Sequence, residues 1–147
     1  MKKRLIIILF FVFYLVFGHP VFAKDVFQDL PVSAAKESAL GKQKLLGVPA
    51  YMTGQESPRI EKDFGQFKSN KRTHRLNKTQ EEACKVAFLS ALIALQKRAV
   101  KLGADGIVDI KSITKYKRLE SATNYRCSAS DLMANVALTG RIVNFAK

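Results

Sequence analysis

The 147-residue chain carries 25 Lys and Arg against 12 Asp and Glu, a net charge of +13, with 48% hydrophobic residues, two cysteines and no tryptophan. That apolar share excludes a disordered polar chain, two cysteines exclude a disulfide-dense scaffold, and the length leaves room for one domain with a modest core. The basic excess suits anionic polymers or membrane surfaces, or serves solubility alone.

Lys2-Lys3-Arg4, the apolar run Leu5 to Phe17 and the ending Val21-Phe22-Ala23 predict a secretory signal peptide over residues 1–23, cleaved before Lys24. The run is short for a membrane span, and no cysteine follows the cleavage site to take a lipid anchor. The mature protein is therefore expected in the periplasm or secreted, still strongly basic, with no nucleic acid as a partner. Export also places Cys84 and Cys127 in an oxidising compartment, where two cysteines read as one disulfide. The alternative, both thiolates and His74 gripping a metal, lacks the short C-x-x-C or H-x-x-x-H spacings that hold ligands locally, and no metal or cofactor is assigned.

Beyond the leader, residues 24–59 read as an N-terminal extension and residues 60–147 as the main domain. Lys24 to Lys44 has the pattern of a short amphipathic helix with Pro31 in its first turn and Gly41 at its end. Leu45 to Met52 is an apolar run whose Gly47 and Pro49 restrict it to an edge strand. Phe64 to Leu76 predicts an exposed strand rich in cations.

Thr79-Gln80-Glu81-Glu82 is a capping box that starts a helix, and Gly103 supplies its left-handed stop after Leu102. Steps of 100° place Cys84, Phe88, Ala91, Leu92, Leu95, Ala99 and Leu102 on the core face. A second stripe, Val86, Leu89, Ile93 and Val100, calls for cover by the N-terminal segment or another subunit, unless it is partly exposed. Gly106 to Tyr116 alternates as a strand, with Val108, Ile110 and Tyr116 on one side and Asp109, Lys111 and Lys115 on the other. Lys117 to Ala122 is a polar connection and Thr123 to Cys127 a short strand. Leu132 to Phe145 is a long strand with Leu132, Ala134, Val136, Leu138 and Ile142 on one face. The sum is β-α-β-β-β, an α+β fold with one long helix packed on a mainly antiparallel sheet.

The helix-to-strand junction Ala99-Val100-Lys101-Leu102-Gly103-Ala104-Asp105-Gly106-Ile107-Val108, with a last strand ending Val136-Ala137-Leu138-Thr139-Gly140-Arg141-Ile142-Val143, resembles the YbjQ family, which carries a heavy-metal-binding label. It is also similar to the RcsF-like periplasmic domains of envelope-stress lipoproteins. The wider run, Asn77 to Cys84 before the helix and Ser121 to Cys127 after it, resembles small signal-bearing bacterial proteins often named as excinuclease subunits. The resemblance covers roughly Phe64 to Lys147 and implies a fold and an envelope or stress setting rather than a reaction. The chain departs from it in having one disulfide in place of two, no lipid-attachment cysteine and a single mature histidine.

Catalysis finds little footing. His74 is the only mature histidine, Ser121, Ser128 and Ser130 lack a nucleophile-elbow context, and no carboxylate pair sits in an apolar setting. Gly103 to Gly106 follows a helix, whereas phosphate loops follow strands. Two functions remain for a chain that is not an enzyme. One is an interaction module of the envelope or secretome, docking on a protein partner or forming a homo-oligomer through the stripe Val86, Leu89, Ile93 and Val100. The other is a binder of anionic surfaces such as lipopolysaccharide, acidic lipid or polymer, using Lys68, Lys71, Arg72 and Arg75. In a flat strand Lys68 and Arg72 point one way and Lys71 and Arg75 the other, so only an edge or twisted ribbon presents all four together.

Overall fold

The computed structural model describes residues 24–147, so the signal peptide reading lies outside the described residues. The elements run β1 (Val26–Pro31), α1 (Val32–Lys36), α2 (Ala39–Lys44), β2 (Ala50–Met52), β3 (Ile60–His74), α3 (Gln80–Leu102), β4 (Gly106–Ser112), a 3-10 turn (Thr114–Tyr116), β5 (Asn124–Ala129) and β6 (Met133–Phe145). The architecture is α+β: α3 packs on one face of a mixed six-stranded sheet, as the sequence leads one to expect, and the short helices lie beside it. Among the described residues no helix is long and apolar enough to cross a membrane.

β6 is the spine of the sheet. β3 runs antiparallel along it from His74 opposite Met133 to Ile60 opposite Phe145. On its other side β5 pairs with the beginning of β6 and β4 with its later half, both antiparallel. β1 extends the sheet beyond β5, and β2 adds the one parallel pairing beyond β4. The extension thus supplies two strands of the domain's own sheet.

α3 forms where its caps predict. The Thr79 hydroxyl accepts from the Glu82 amide at 3.1 Å, and the Glu82 carboxylate accepts from the Thr79 amide at 2.7 Å. The Thr79 amide, with its hydroxyl, holds the Glu82 carboxyl below its ordinary value. Gly103 ends the helix at φ +64°, a left-handed conformation that costs glycine nothing. The core face is buried as expected, with Leu102 only half-buried at its end. It packs against Val136, Leu138 and Ile142 of β6, Ile107 and Ile110 of β4, and Tyr125 of β5, whose ring stacks on Phe88 with centroids 4.1 Å apart. Cys84 and Cys127 lie within this core at disulfide-bonding distance, 2.05 Å between sulfurs and 5.8 Å between Cα atoms.

Several expectations are corrected. Lys24 to Lys44 is not one helix: Val26–Pro31 is a strand that pairs with β5, and Asp29 receives two hydrogen bonds from Arg126, each 2.7 Å. Pro31 caps α1, and Gly41 lies inside α2, where an added Cβ would fall 2.4 Å from the carbonyl oxygens of Ala35 and Lys36. Two helix backbones can therefore approach closely there. The edge strand expected over Leu45 to Met52 is confined to Ala50–Met52, after Pro49.

The strand from Gly106 stops at Ser112, where the 3-10 turn follows, and within it Asp109 adopts φ +53° at a register shift and turns the alternation over. Ile107 joins Ile110 in the core in place of Val108, Lys111 is 8% exposed, and Tyr116 is fully exposed beyond the strand. Leu132 sits before β6 and is exposed. The other alternating positions of β6 face the core as expected.

Candidate functional site

The four cations expected to form one patch are divided by the pleat of β3. Lys68 and Arg72 stand with Gln66 and Asn70 on the sheet face away from α3, where Asn135, Ala137 and Thr139 of β6 continue the surface. Lys71 lies on the helix side, beside Ser90, Ile93 and Lys97, and Arg72 borders that depression as well as the other face. Arg75 leaves the patch altogether: half-buried, it donates through Nη1 to the Ser130 carbonyl at 2.6 Å.

On the helix-free face the surface deepens into a cleft of about 660 Å³. Its second wall is the segment after β4, contributing Ile113, Lys115, Tyr116 and Arg118. That wall is fixed from within the sheet. The Ile113 amide donates to the Ala137 carbonyl at 2.9 Å, and the Ala137 amide donates to the Thr114 hydroxyl at 3.0 Å. The Thr114 hydroxyl in turn donates to the Arg126 carbonyl at 2.8 Å. Lys115 and Tyr116 both take left-handed backbone conformations, φ +47° and +63°, which side-chain-bearing residues adopt only under such constraint. The floor is ordered too: Asn135 donates to the Asn70 side chain and, at 3.0 Å, to the Lys71 carbonyl.

Four cations, three amides, the hydroxyl-bearing Ser69 and Thr139 and a phenol line the cleft, and no carboxylate does. Two acids lie outside the lining: Asp25 pairs with Lys115, and Glu120 pairs with Arg118 at 2.6 Å. Lys68 and Arg72 have no ion-pair partner among the described residues. Two further cations near the sheet are neutralised locally. Arg141 meets Asp63 at 2.6 Å, and buried Lys111 meets Asp109 at 3.2 Å and Glu120 at 3.5 Å. The Asp63 carboxyl is held below its ordinary value by the Arg141 guanidinium and the Gly65 amide. At Asp109 burial pushes upward, but the Thr53 hydroxyl and Lys111 outweigh it and the net shift is downward. The cleft is thus net positive, its four cations set against the two acids that pair with Lys115 and Arg118.

The second stripe does not form one surface. Leu89 is buried at 1% exposure, Val86 and Ile93 are half-buried, and Val100 stands apart at 58%. α2 and the turn after it cover part of it: Leu40, Lys44 and Leu46 meet Val86, Leu89, Ser90, Ile93 and Lys97 around a groove of about 390 Å³. Buried Gln96 ties this cover down, accepting from the Leu46 amide at 3.0 Å and donating to the Leu46 and Val48 carbonyls at 2.8 and 2.9 Å.

Both thiols face each other, so the metal alternative loses its thiolates, and His74 is exposed at the end of β3. Sequence reasoning missed Lys115 and Tyr116 because the alternation of Gly106 to Ser112 reads on through them, and Arg118 because it falls in a polar connection. The signal available was the failure of alternation at Ile113-Thr114 and the cation-rich run Lys115 to Arg118. Gln96 was passed over as one polar residue in an amphipathic helix. No protein-family model matches the chain, and neither a curated protein nor a solved structure matches it.

Proposed function

We propose that this chain is an exported, non-catalytic binding module whose helix-free sheet face takes an anionic polymer or surface. The observation that carries the reading is the carboxylate-free cleft between β3, β6 and the 3-10 segment, with unpaired Lys68 and Arg72 opposite Lys115 and Arg118. Cations gathered on one concave wall focus a positive potential, and guanidinium forks and amide groups donate to phosphate, sulfate or carboxylate oxygens. Export is supported by the leader pattern and by the paired cysteines. The resemblance to YbjQ and RcsF-like domains agrees with an envelope setting, at the level of analogy.

Docking of a folded protein on the second stripe is the weaker reading. A specific interface buries about 800 Å² per partner, whereas this stripe offers two half-buried side chains and one separated valine. The test is binding of the 24–147 protein to dextran sulfate, polyphosphate and acidic vesicles, with neutral dextran and neutral vesicles as controls. The reading expects binding to anionic probes at low salt and release near 0.4 M salt, where the Debye length is roughly 5 Å. Equal retention on neutral probes, or binding indifferent to salt, contradicts it.

A further inference from the structure

We propose that the groove between α2 and α3 is a second site, separate from the basic cleft, that holds a single-chain anionic amphiphile such as a free fatty acid. Its walls are Leu40 and Leu46 on one side and Val86 and Ile93 on the other, with Leu89 beneath. Lys44 and Lys97 also line it. A second depression of about 390 Å³ shares Ser90, Ile93 and Lys97 with the groove and adds Ala94, Lys71 and Arg72, the last of which also borders the basic cleft. An apolar slot therefore adjoins a cluster of cations, and no carboxylate lines either depression.

Three features select the occupant. The walls are aliphatic, so a purely hydrophilic anion gains nothing from them, whereas an alkyl chain removes its own surface and theirs from water. The volume is at the low end of small-ligand sites, about 300–1,000 Å³, which suits one chain rather than a two-chain lipid. The neighbouring cations supply a counter-charge for one carboxylate or phosphate head. The groove is also preformed: Gln96 binds the backbone of Leu46 and Val48 through three hydrogen bonds, so the outer wall need not be ordered by the ligand. A second copy of the chain would need a far larger apolar area than Val86 and Ile93 leave open.

The experiment titrates the 24–147 protein with saturated fatty acids from octanoate to tetradecanoate below their micellar concentrations, by calorimetry and by displacement of a fluorescent fatty-acid analogue. Expected is one site per chain, with affinity rising up to about fourfold per added methylene until the groove is filled and then levelling. Dodecanol should bind more weakly than dodecanoate because it lacks the head charge. Ile93→Asp, which places a charge in the slot, should weaken dodecanoate at least tenfold. Since that variant can also disturb the fold, Lys97→Glu at an exposed position provides an independent arm and should weaken dodecanoate while leaving dodecanol unchanged. Lys68→Glu, in the other cleft, should leave both unchanged, which separates failure here from failure of the polymer-binding reading. Affinity independent of chain length, unsaturable binding, or wild-type affinity in both Ile93→Asp and Lys97→Glu overturns the proposal. So does a wild-type dimer that Ile93→Asp dissociates without any fatty-acid binding, which would make this face a self-association surface.

Discussion

Removing the Cys84–Cys127 bond is the perturbation whose size follows most directly from the fold. The two residues are 43 apart in sequence and both are fully buried between α3 and β5. In the chain-entropy model the lost constraint on the unfolded chain is worth about 4 kcal/mol at 25 °C, where a forty-odd-residue loop enters through its logarithm. A Cys84→Ala/Cys127→Ala variant avoids burying two thiols but loses some packing around both positions, so it should fall at least this far. For a domain of about 120 residues, with an unfolding entropy near 2.1 cal/mol/K per residue, 4 kcal/mol lowers the melting temperature by roughly 15 °C. The assay is urea and thermal unfolding of oxidised wild type and of the double variant, with non-reducing mass spectrometry to count thiols. Reductant should act slowly on the folded wild type and readily in denaturant, because no solvent reaches the sulfurs. Two free thiols in freshly purified exported protein, or a double variant melting within a few degrees of wild type, would refute the reasoning.

Other outcomes follow from single contacts. Gln96→Ala should cost roughly 2–3 kcal/mol in urea melts by stranding the Leu46 amide and two carbonyls, and should also loosen the groove wall enough to weaken dodecanoate. Gly41→Ala should destabilise by about 1–3 kcal/mol, since its Cβ meets two backbone carbonyls that no side-chain rotation can move aside. Asp63 and Asp109 are held below their ordinary value of 3.8 in the folded chain, so as pH falls the unfolded chain takes up protons first. Their contribution is fully present above about pH 5 and is lost as pH drops through 3.8 and below, which unfolding curves from pH 7 to pH 2 will show. Asp63→Asn should flatten that acid decline while costing under about 1 kcal/mol at pH 7, because the Asp63–Arg141 pair is largely exposed.

The parts of this molecule legible in its sequence are those set by local chemistry. The capping box at Thr79 and the left-handed Gly103 fix both ends of α3, and the spacing Cys84, Phe88, Leu92, Leu95 fixes its buried face. β6 is nearly as plain, because Ala134, Val136, Leu138 and Ile142 mark its core face. What the sequence concealed depends on distant partners. Val26–Pro31 is too short to announce itself, and it becomes a strand because β5, about a hundred residues later, offers a free edge and Arg126 offers Asp29 a partner. At Asp109 a left-handed turn is made by a residue other than glycine, held by Thr53 and Lys111, and nothing local marks it. The candidate cleft divides along the same line: Lys68 and Arg72 share a face by strand alternation, while Lys115, Tyr116 and Arg118 reach it only after the chain leaves β4 and turns under Ala137.

The central claim, that an anionic polymer binds one face of the sheet rather than the protein's charge at large, is tested most directly by two variants of equal charge on opposite faces. Lys68→Glu/Lys115→Glu alters residues that line only the cleft, and Lys71→Glu/Lys97→Glu alters the helix side by the same amount. Affinity for dextran sulfate, measured at several salt concentrations, should fall at least tenfold and become less salt-dependent in the first variant, and should change little in the second. Equal losses in the two variants would mean that net charge alone drives binding, and an unchanged first variant would remove the cleft from the account.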